Sequence, residues 1–218
     1  MPRWLESKSN AKNWGFSKDA SIQSLRYAVL DTELTSLDHR TNRLLSIGAI
    51  VMQGTSIQLG EQFYRVVNPQ VSIPAETIVI HKLRPEDIQH GETPASALNH
   101  FAQFIANAVL VGHFLDIDLK ALRKEMLRHG HPLNNPAIDT AKAHDWLLRR
   151  SQLTEDVLDQ LGKSDLGSVA RRYGVSVENP HHALADAFIT ARIWQKMLYF
   201  LQANGVESLR KLLRIGSP

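Results

Sequence analysis

The stretch YAVLDTELTSLDHRTNRLLSIGAIVM, residues 27–52, decides the predicted fold. Its first part, residues 27–31, is a short apolar run that ends at a carboxylate, which is typical of a buried strand whose end faces a site. Its second part, residues 43–52, is a continuous apolar run interrupted only by small residues. A run of this kind predicts a strand that is buried on both faces of a sheet.

The rest of the chain adds strands and helices around this pair. Residues 57–67 alternate in polarity and follow a Gly54-Thr55 turn, so the first three strands form an antiparallel meander. Residues 109–113 predict a fourth strand. Helices are predicted at 95–107, 116–129, 139–150, 165–175, 182–201 and 206–214, with a short one that ends near His81. We expect an α/β fold with a mixed sheet flanked by helices.

Composition narrows the class of protein. Hydrophobic residues are 43% and charged residues 22% of the 218, so the chain is globular rather than disordered. No apolar run approaches the roughly 18 residues of a membrane span, and no secretory signal is visible. Because the chain has no cysteine, any metal ion must be bound by oxygen or imidazole. The same composition predicts a cytoplasmic protein.

The beginning of the chain is polar and basic. Five basic and two acidic side chains in the first 26 residues account for the whole formal net charge of +3. We predict a loosely held basic leader over residues 1–25 and a single domain over residues 26–218. A basic arm can recruit polyanions, and a merely solvated leader is the alternative.

Two carboxylates follow the first apolar run. Side chains alternate along a strand, so Asp31 and Glu33 point to the same side. Like charges placed together repel each other unless a cation or a proton intervenes, and Mg²⁺ prefers such oxygens. The alternative is a pair of solvated acids at a strand end.

The fourth predicted strand leads into a helix that carries two candidate acids. Leu119, Leu122 and Met126 mark its buried face. At 100° per residue, Asp118 lies nearer to the middle of that face than Asp116 does. Asp118 is therefore the better ligand candidate, whereas Asp116 suits the helix N-cap.

The third acidic element is HHALADA, residues 181–187. Asp186 lies at the edge of the buried stripe of the last long helix, and His181 precedes that helix. A histidine on a loop beside a metal-binding carboxylate can act as a general base. The alternative is an ordinary surface pair.

In this order and at these spacings, the three elements resemble the DEDDh family of 3′→5′ exonucleases, which includes the proofreading epsilon subunit of DNA polymerase III and RNase T. The matching motifs are DTELTSL (31–37), VGHFLDIDLKAL (111–122) and HHALADA. The resemblance runs from about residue 27 to about residue 201. It implies a ribonuclease H-like fold, an α/β fold with a mixed five-stranded sheet whose first three strands are antiparallel and which is flanked by helices.

The resemblance also implies a mechanism. Asp31, Glu33, Asp118 and Asp186 would hold two Mg²⁺ or Mn²⁺ ions, and His181 would accept the proton of the attacking water. The product would be a nucleoside 5′-monophosphate. His182 is an alternative base, but the family spacing of five residues from histidine to aspartate selects His181.

The resemblance also predicts contacts to the terminal nucleotide of the substrate. The family often has Thr-Thr-Gly where this chain has Leu34-Thr35-Ser36, and His-Asn where it has His113-Phe114. Leu34 and His81 match positions that line the terminal nucleotide in relatives, and the alternatives are ordinary packing for Leu34 and a plain loop histidine for His81. Phe114 could stack on a base or be an ordinary core aromatic. The residues assigned to the nucleotide are Leu34, Thr35, His81, His113 and Phe114.

These features predict a 3′→5′ exonuclease that acts on single-stranded DNA or on an unpaired 3′ end of a duplex. An RNase T-like or oligoribonuclease-like enzyme acting on RNA is the alternative within the same chemistry. A polymerase-associated nucleic-acid-binding module is the alternative of another class. We expect nucleic acid as the partner and no membrane, and association with a polymerase or with a second copy stays open.

Overall fold

The computed structural model describes residues 15–36, 38, 40–71, 83–151 and 164–218. The strands within these ranges are β1 (Arg26–Leu34), β2 (Leu44–Gln53), β3 (Ser56–Val66), β4 (Val109–Gly112) and β5 (Ala137–Asp139). The helices are α1 (Pro85–Gln89), α2 (Pro94–Phe104), α3 (Asp116–Arg128), α4 (Thr140–Arg150), α5 (Leu166–Arg172), α6 (Ala183–Ala203) and α7 (Leu209–Gly216).

The five strands form one mixed sheet in the order β3-β2-β1-β4-β5. The first three strands pair antiparallel, while β4 runs parallel to both β1 and β5. The predicted α/β class and the antiparallel meander are confirmed. β5 has only three residues, which is too short to show a hydrophobic pattern, so its position could not be found in the sequence.

Burial along the meander follows the sequence pattern. The first nine residues of β2 are all buried, because β2 lies between two strands and is covered on both faces. β3 is the edge strand and is largely exposed along its first half. The continuous apolar run therefore belongs to an interior strand, as predicted, and the alternating run belongs to the edge.

Helices cover both faces of the sheet and enclose two apolar clusters. One face is covered mainly by α6, whose Ala187, Ala191, Trp194, Leu198 and Leu201 are all buried, as the predicted stripe requires. The other face is covered by α2 and α3. No helix within the described ranges is both long and apolar enough to cross a membrane.

Several helix ends differ from the prediction for local reasons. α7 begins at Leu209 rather than at residue 206, because the Ser208 side chain caps its N-terminus by accepting from the Lys211 N–H. α3 has Leu115, not Asp116, at its N-cap. The short helix predicted to end near His81 lies outside the described residues.

Residues 15–25, which were predicted to belong to a loose leader, are packed on the domain. Ile22 and Leu25 are buried in the cluster beneath α6. Asp19 forms an ion pair with Arg210 at 2.8 Å, and Ser21 forms an isolated bridge with Ser208. Ordered structure therefore starts before Tyr27. The division of the chain at residue 25 remains a prediction.

Candidate active site

The site is built at the end of the interior strand β1. Asp31 and Glu33 alternate with Thr32, so both carboxylates reach the same side of the sheet. One oxygen from Asp31, one from Glu33 and one from Asp186 all lie within 4.8 Å of one another. The carboxylates of the first and third motifs therefore lie close together, as predicted.

Asp118 lines the same cleft from α3, outside the 4.8 Å group of the other three carboxylates, and is held by the end of β1. β4 pairs with β1 only as far as Val29, so the N–H of Thr32 lies beyond its partner strand. Asp118 Oδ1 accepts from that N–H at 2.9 Å and from the Thr32 hydroxyl at 2.6 Å. The Asp118 side chain is 6% exposed, whereas Asp116 is half-exposed and pairs with Lys120. Asp118 therefore faces inward, as predicted, and its role as a metal ligand stays a prediction.

Asp186 is brought to the sheet by a glycine. Gly48 of β2 is the register partner of Asp31, and a Cβ at residue 48 would overlap the backbone of Ala183 and Leu184. The missing side chain lets the first turn of α6 lie directly on the sheet beside Asp31. In the sequence, Gly48 is only one of several small residues in an apolar run. Its role in admitting α6 depends on the tertiary packing of that helix, which the local pattern does not show.

Burial and mutual repulsion change the acidity of these groups. Burial, followed by the charges of Asp118, Glu33 and Asp186, raises the pKa of Asp31 well above its usual value. Burial raises the pKa of Asp118 to about 7 despite the two hydrogen bonds from Thr32. Burial also raises the pKa of Asp186. The folded chain thus concentrates negative charge where ionisation is unfavourable without a cation.

The Asp186 carboxylate tests whether a metal ion fits this cluster. Its Oδ2 accepts from the His181 N–H at 3.0 Å. Its Oδ1 is buried and has no hydrogen-bond partner among the described residues. A buried carboxylate oxygen without a partner costs free energy, and a divalent cation held by the neighbouring oxygens would satisfy it. The donor set, which is entirely oxygen, fits a hard cation.

The two adjacent histidines occupy different environments. His182 caps α6 by accepting from the Ala185 N–H at 3.4 Å, and its ring stacks on Tyr64 at 4.6 Å. His181 is exposed, lines the cleft and has a left-handed backbone with φ of 66°. The structure therefore leaves His181 accessible to a bound water and uses His182 to support the helix.

The carboxylates form the floor of a cleft of about 510 Å³. Of the residues predicted to contact a nucleotide, Leu34, Thr35, His113 and Phe114 line this cleft, and His81 lies outside the described residues. The remaining lining residues, which sequence reasoning did not select for this role, are Thr32, Ser36, Ile117, Asp165 and Leu166. Ile117 directly precedes Asp118, but its position at the rim depends on the exact start of α3.

The predicted nucleotide contacts differ in what they can offer. Phe114 is 46% exposed and has φ of 51°, held by an N–H to Asp139 Oδ1 bond of 3.2 Å. Both ring nitrogens of His113 are engaged, with Thr140 Oγ1 at 2.8 Å and the Ser164 carbonyl at 2.6 Å. His113 therefore has no free ring nitrogen to offer a substrate in the cleft. Asp139 also caps α4 through the Ala141 N–H, so one carboxylate fixes the loop that carries Phe114.

Comparison with known proteins agrees with the geometry. The RNase T model, described as Exonuclease, matches residues 28–194. The PolC-type DNA polymerase III of Clostridium perfringens is 28% identical over 189 residues, covering 85% of this chain and 12% of that protein. The epsilon subunit of DNA polymerase III from Aquifex aeolicus is 27% identical over 173 residues, covering 79% and 80%. The chain spans only 12 to 14% of the length of the PolC-type relatives from Clostridium perfringens, Thermotoga petrophila and Thermotoga maritima.

Solved structures with the same architecture are also nucleases. E. coli Exonuclease I in complex with a dT13 oligonucleotide has a TM-score of 0.69 at 14% identity, covering 84% of this chain and 43% of that one. Cell-death related nuclease 4 has a TM-score of 0.68 at 15% identity, covering 81% and 64%. These likenesses show a ribonuclease H-like fold. From the family match, the chain belongs to the RNase T family of exonucleases and is a nuclease of the DEDDh type.

Proposed function

We propose that this protein is a 3′→5′ exonuclease that removes nucleoside 5′-monophosphates from single-stranded DNA. The observation that carries the proposal is the convergence of acids from β1, α3 and α6 on one cleft, with Asp186 Oδ1 buried and lacking a hydrogen-bond partner among the described residues. Such a cluster is suited to cations that neutralise a phosphodiester during cleavage.

Asp31, Glu33, Asp118 and Asp186 would hold two Mg²⁺ or Mn²⁺ ions. When bound, such ions lower the pKa of water and stabilise negative charge on the attacking and leaving oxygens. Two divalent cations balance the four carboxylates, so the raised pKa values of the metal-free site give way to full ionisation.

His181 would accept the proton of the attacking water. Its exposure at the cleft allows the proton to pass to solvent, and the bond from its N–H to Asp186 Oδ2 keeps the loop beside the carboxylates. The leaving 3′ oxygen then remains with the shortened strand, and the phosphate leaves on the released nucleotide.

The rim of the cleft supports an unpaired substrate. Phe114 and Ile117 are 46% and 42% exposed, and Leu166 lines the same cleft. Exposed apolar side chains of this kind pack on the faces of splayed bases, which a paired duplex end does not present. Two relatives are DNA polymerase III proteins, and Exonuclease I binds DNA oligonucleotides, which favours DNA over RNA.

The test is a time course on 5′-labelled single-stranded DNA and RNA of matched sequence, with Mg²⁺, with Mn²⁺ and with EDTA. We expect a ladder that shortens from the 3′ end, faster on DNA, and abolished by EDTA. Asp118→Asn should abolish it, whereas Asp116→Asn, on the exposed side of the same helix, should not. Cleavage that persists in EDTA would refute the metal-dependent mechanism, and faster loss of RNA would move the assignment to a ribonuclease.

The proposal extends to partners and location. Nucleic acid is the proposed partner. Because two relatives are DNA polymerase III proteins, association with a polymerase should be tested by co-purification with a polymerase catalytic subunit. A cytoplasmic location stays a prediction from the cysteine-free composition.

A further inference from the structure

A second concave surface lies between α4, α5 and α6, away from the carboxylates. It encloses about 660 Å³, which is more than the active-site cleft. The residues that carry the argument are Arg150, Arg172, Tyr173, Lys196, Tyr199 and Phe200, and we call this surface the aromatic groove. None of these residues has a role in the proposed chemistry.

Aromatic rings form a continuous series from the rim to the interior of the groove. Tyr199 lies 5.7 Å from Phe200, Phe200 lies 6.0 Å from Tyr173, and Tyr173 lies 5.5 Å from His144, measured between ring centroids. Tyr199 is 69% exposed and Phe200 46% exposed, while His144 is buried. Exposed neighbouring aromatic rings form a platform on which bases can stack.

The groove is also positively charged. Arg150, Arg172 and Lys196 line it, and no carboxylate is present among the described residues of its lining. Two of the cations are positioned by rings: the Arg150 guanidinium lies 4.5 Å from the centroid of Trp146, and Arg172 donates to His144 Nε2 at 2.8 Å. Cations interleaved with aromatic rings are complementary to a strand of phosphates and bases.

Helix α5 connects the groove to the active-site cleft. Leu166, its first residue, lines the cleft, and Arg172, its last, lines the groove. Six residue steps along a helix span about 9 Å, so one continuous nucleic-acid strand can reach both the cleft and the groove. The order of the surfaces then follows from the chemistry: the 3′ end lies at the carboxylates and the 5′ side lies at the groove.

We propose that the aromatic groove binds the upstream nucleotides of a single-stranded nucleic acid whose 3′ end lies in the active-site cleft, an assignment that rests on the proposed function. Tyr199 and Phe200 stack on bases, and Arg150, Arg172 and Lys196 contact phosphates. The groove would hold the strand between successive cleavages.

The test measures binding in EDTA, where no hydrolysis occurs, with 5′-fluorescent single-stranded DNA of about 4 and about 16 nucleotides. We expect Tyr199→Ala to weaken binding of the longer strand about 5- to 100-fold and to leave the shorter strand unaffected. Lys196→Gln should lower the slope of log K against log salt by about 0.7. Leu127→Ala, with the same 69% exposure on α3, and Arg123→Gln, also on α3, are the controls.

Position is tested by ultraviolet cross-linking of 5-bromodeoxyuridine placed at single positions of the longer strand. We expect interior positions to label the peptide with Tyr199 and Phe200, and the 3′-terminal position to label the peptide with Phe114. Interior positions that label only other peptides would overturn the proposal. An unchanged affinity of Tyr199→Ala for the longer strand would also overturn the proposal. The same holds if the substitution leaves DNA affinity unchanged and instead dissociates a dimer, because the groove would then be an interface between two copies of the chain.

These outcomes separate the groove from the exonuclease assignment. Wild-type protein that shortens DNA while Tyr199→Ala binds normally would overturn the groove and leave the proposed function standing. Wild-type protein that cleaves nothing yet binds DNA through Tyr199 would overturn the proposed function and support the groove as a nucleic-acid surface.

Discussion

The active-site cleft and the aromatic groove lie at opposite ends of α5 and have opposite charge. In the cleft, acids of one sign are buried together, which raises their pKa values and opposes folding. In the groove, cations and aromatic rings lie at the surface, where charges stay hydrated at little cost. The cleft therefore holds electrostatic repulsion inside the fold for its proposed chemistry, whereas the charge of the groove is a surface property. Substitutions should therefore trade activity against stability only in the cleft.

Asp31→Asn should give the largest effect and tests the cleft half of this comparison. If Asp31 is a metal ligand, as proposed, its loss should lower the exonuclease rate about a thousandfold or more, because bound cations would supply several kcal/mol of transition-state stabilisation. The same change removes a buried charge that three other carboxylates repel. We expect the free energy of unfolding of the metal-free protein to rise by about 1 to 3 kcal/mol.

Chemical denaturation in EDTA and the labelled-strand assay in Mg²⁺ measure the two effects of Asp31→Asn side by side. Lower activity with lower stability would mean that Asp31 has a structural role instead, and the contrast between cleft and groove would fail.

Gly48→Ala asks whether the cleft depends on the close approach of α6. The new methyl group would overlap the backbone of the first turn of α6, so the helix must move away from Asp31. We expect a loss of about 2 to 4 kcal/mol in the free energy of unfolding and of at least about a hundredfold in rate.

Gly60→Ala on β3 is the matched control, because a Cβ at Gly60 meets no atom within 4 Å. It should keep both stability and rate. If Gly48→Ala behaves like Gly60→Ala, the packing of α6 on the sheet is adaptable and does not position Asp186.

His181→Asn and His182→Asn compare two neighbours with different surroundings. Asparagine tolerates the left-handed backbone of residue 181 and keeps the N–H that donates to Asp186. Loss of the imidazole should therefore lower kcat about 10²- to 10⁴-fold with the fold intact. Asparagine at residue 182 retains a helix cap but loses the stack on Tyr64.

We expect His182→Asn to lower stability by about 1 kcal/mol and to change kcat less than about threefold. Single-turnover rates and melting temperatures of both variants give the comparison. A larger loss of kcat in His182→Asn than in His181→Asn would reverse the assignment of the base.

The sequence predicts the strand-end acids well because their signals are local. A carboxylate that ends an apolar run, or lies near a helical stripe, shows its direction through period alone, as Asp31 and Asp118 do. Gly48, the bond between Asp118 and Thr32, and the groove could not be predicted, because each depends on how separate elements approach. The fifth strand was too short to carry a pattern, and Ile22 lay in a segment whose polarity hid its burial.

The substitution with the smallest expected effect is at His144, the buried histidine of the groove. Burial, and next the charge of Arg172, lower the pKa of His144 to about 4, while Asp145 acts in the opposite direction and His113 adds to the lowering. The unfolded chain binds a proton at residue 144 below about pH 6.5, whereas the folded chain does so only near pH 4. The unfolded state therefore binds more protons in this window, and stability falls as the pH is lowered through it.

The loss of stability from His144 has an upper limit of about 3 kcal/mol at pH 4. His144→Gln cannot take up this proton, so the difference in free energy of unfolding between wild type and variant should shift by about 1 to 3 kcal/mol from pH 7 to pH 4. Urea denaturation at several pH values measures it, and subtraction removes the titration of groups common to both proteins. A difference that does not change with pH would mean that His144 takes up its proton as readily in the folded chain as in the unfolded one. Below about pH 6.5 the protonated ring could not then accept from Arg172, and the groove would lose the contact that holds one of its cations.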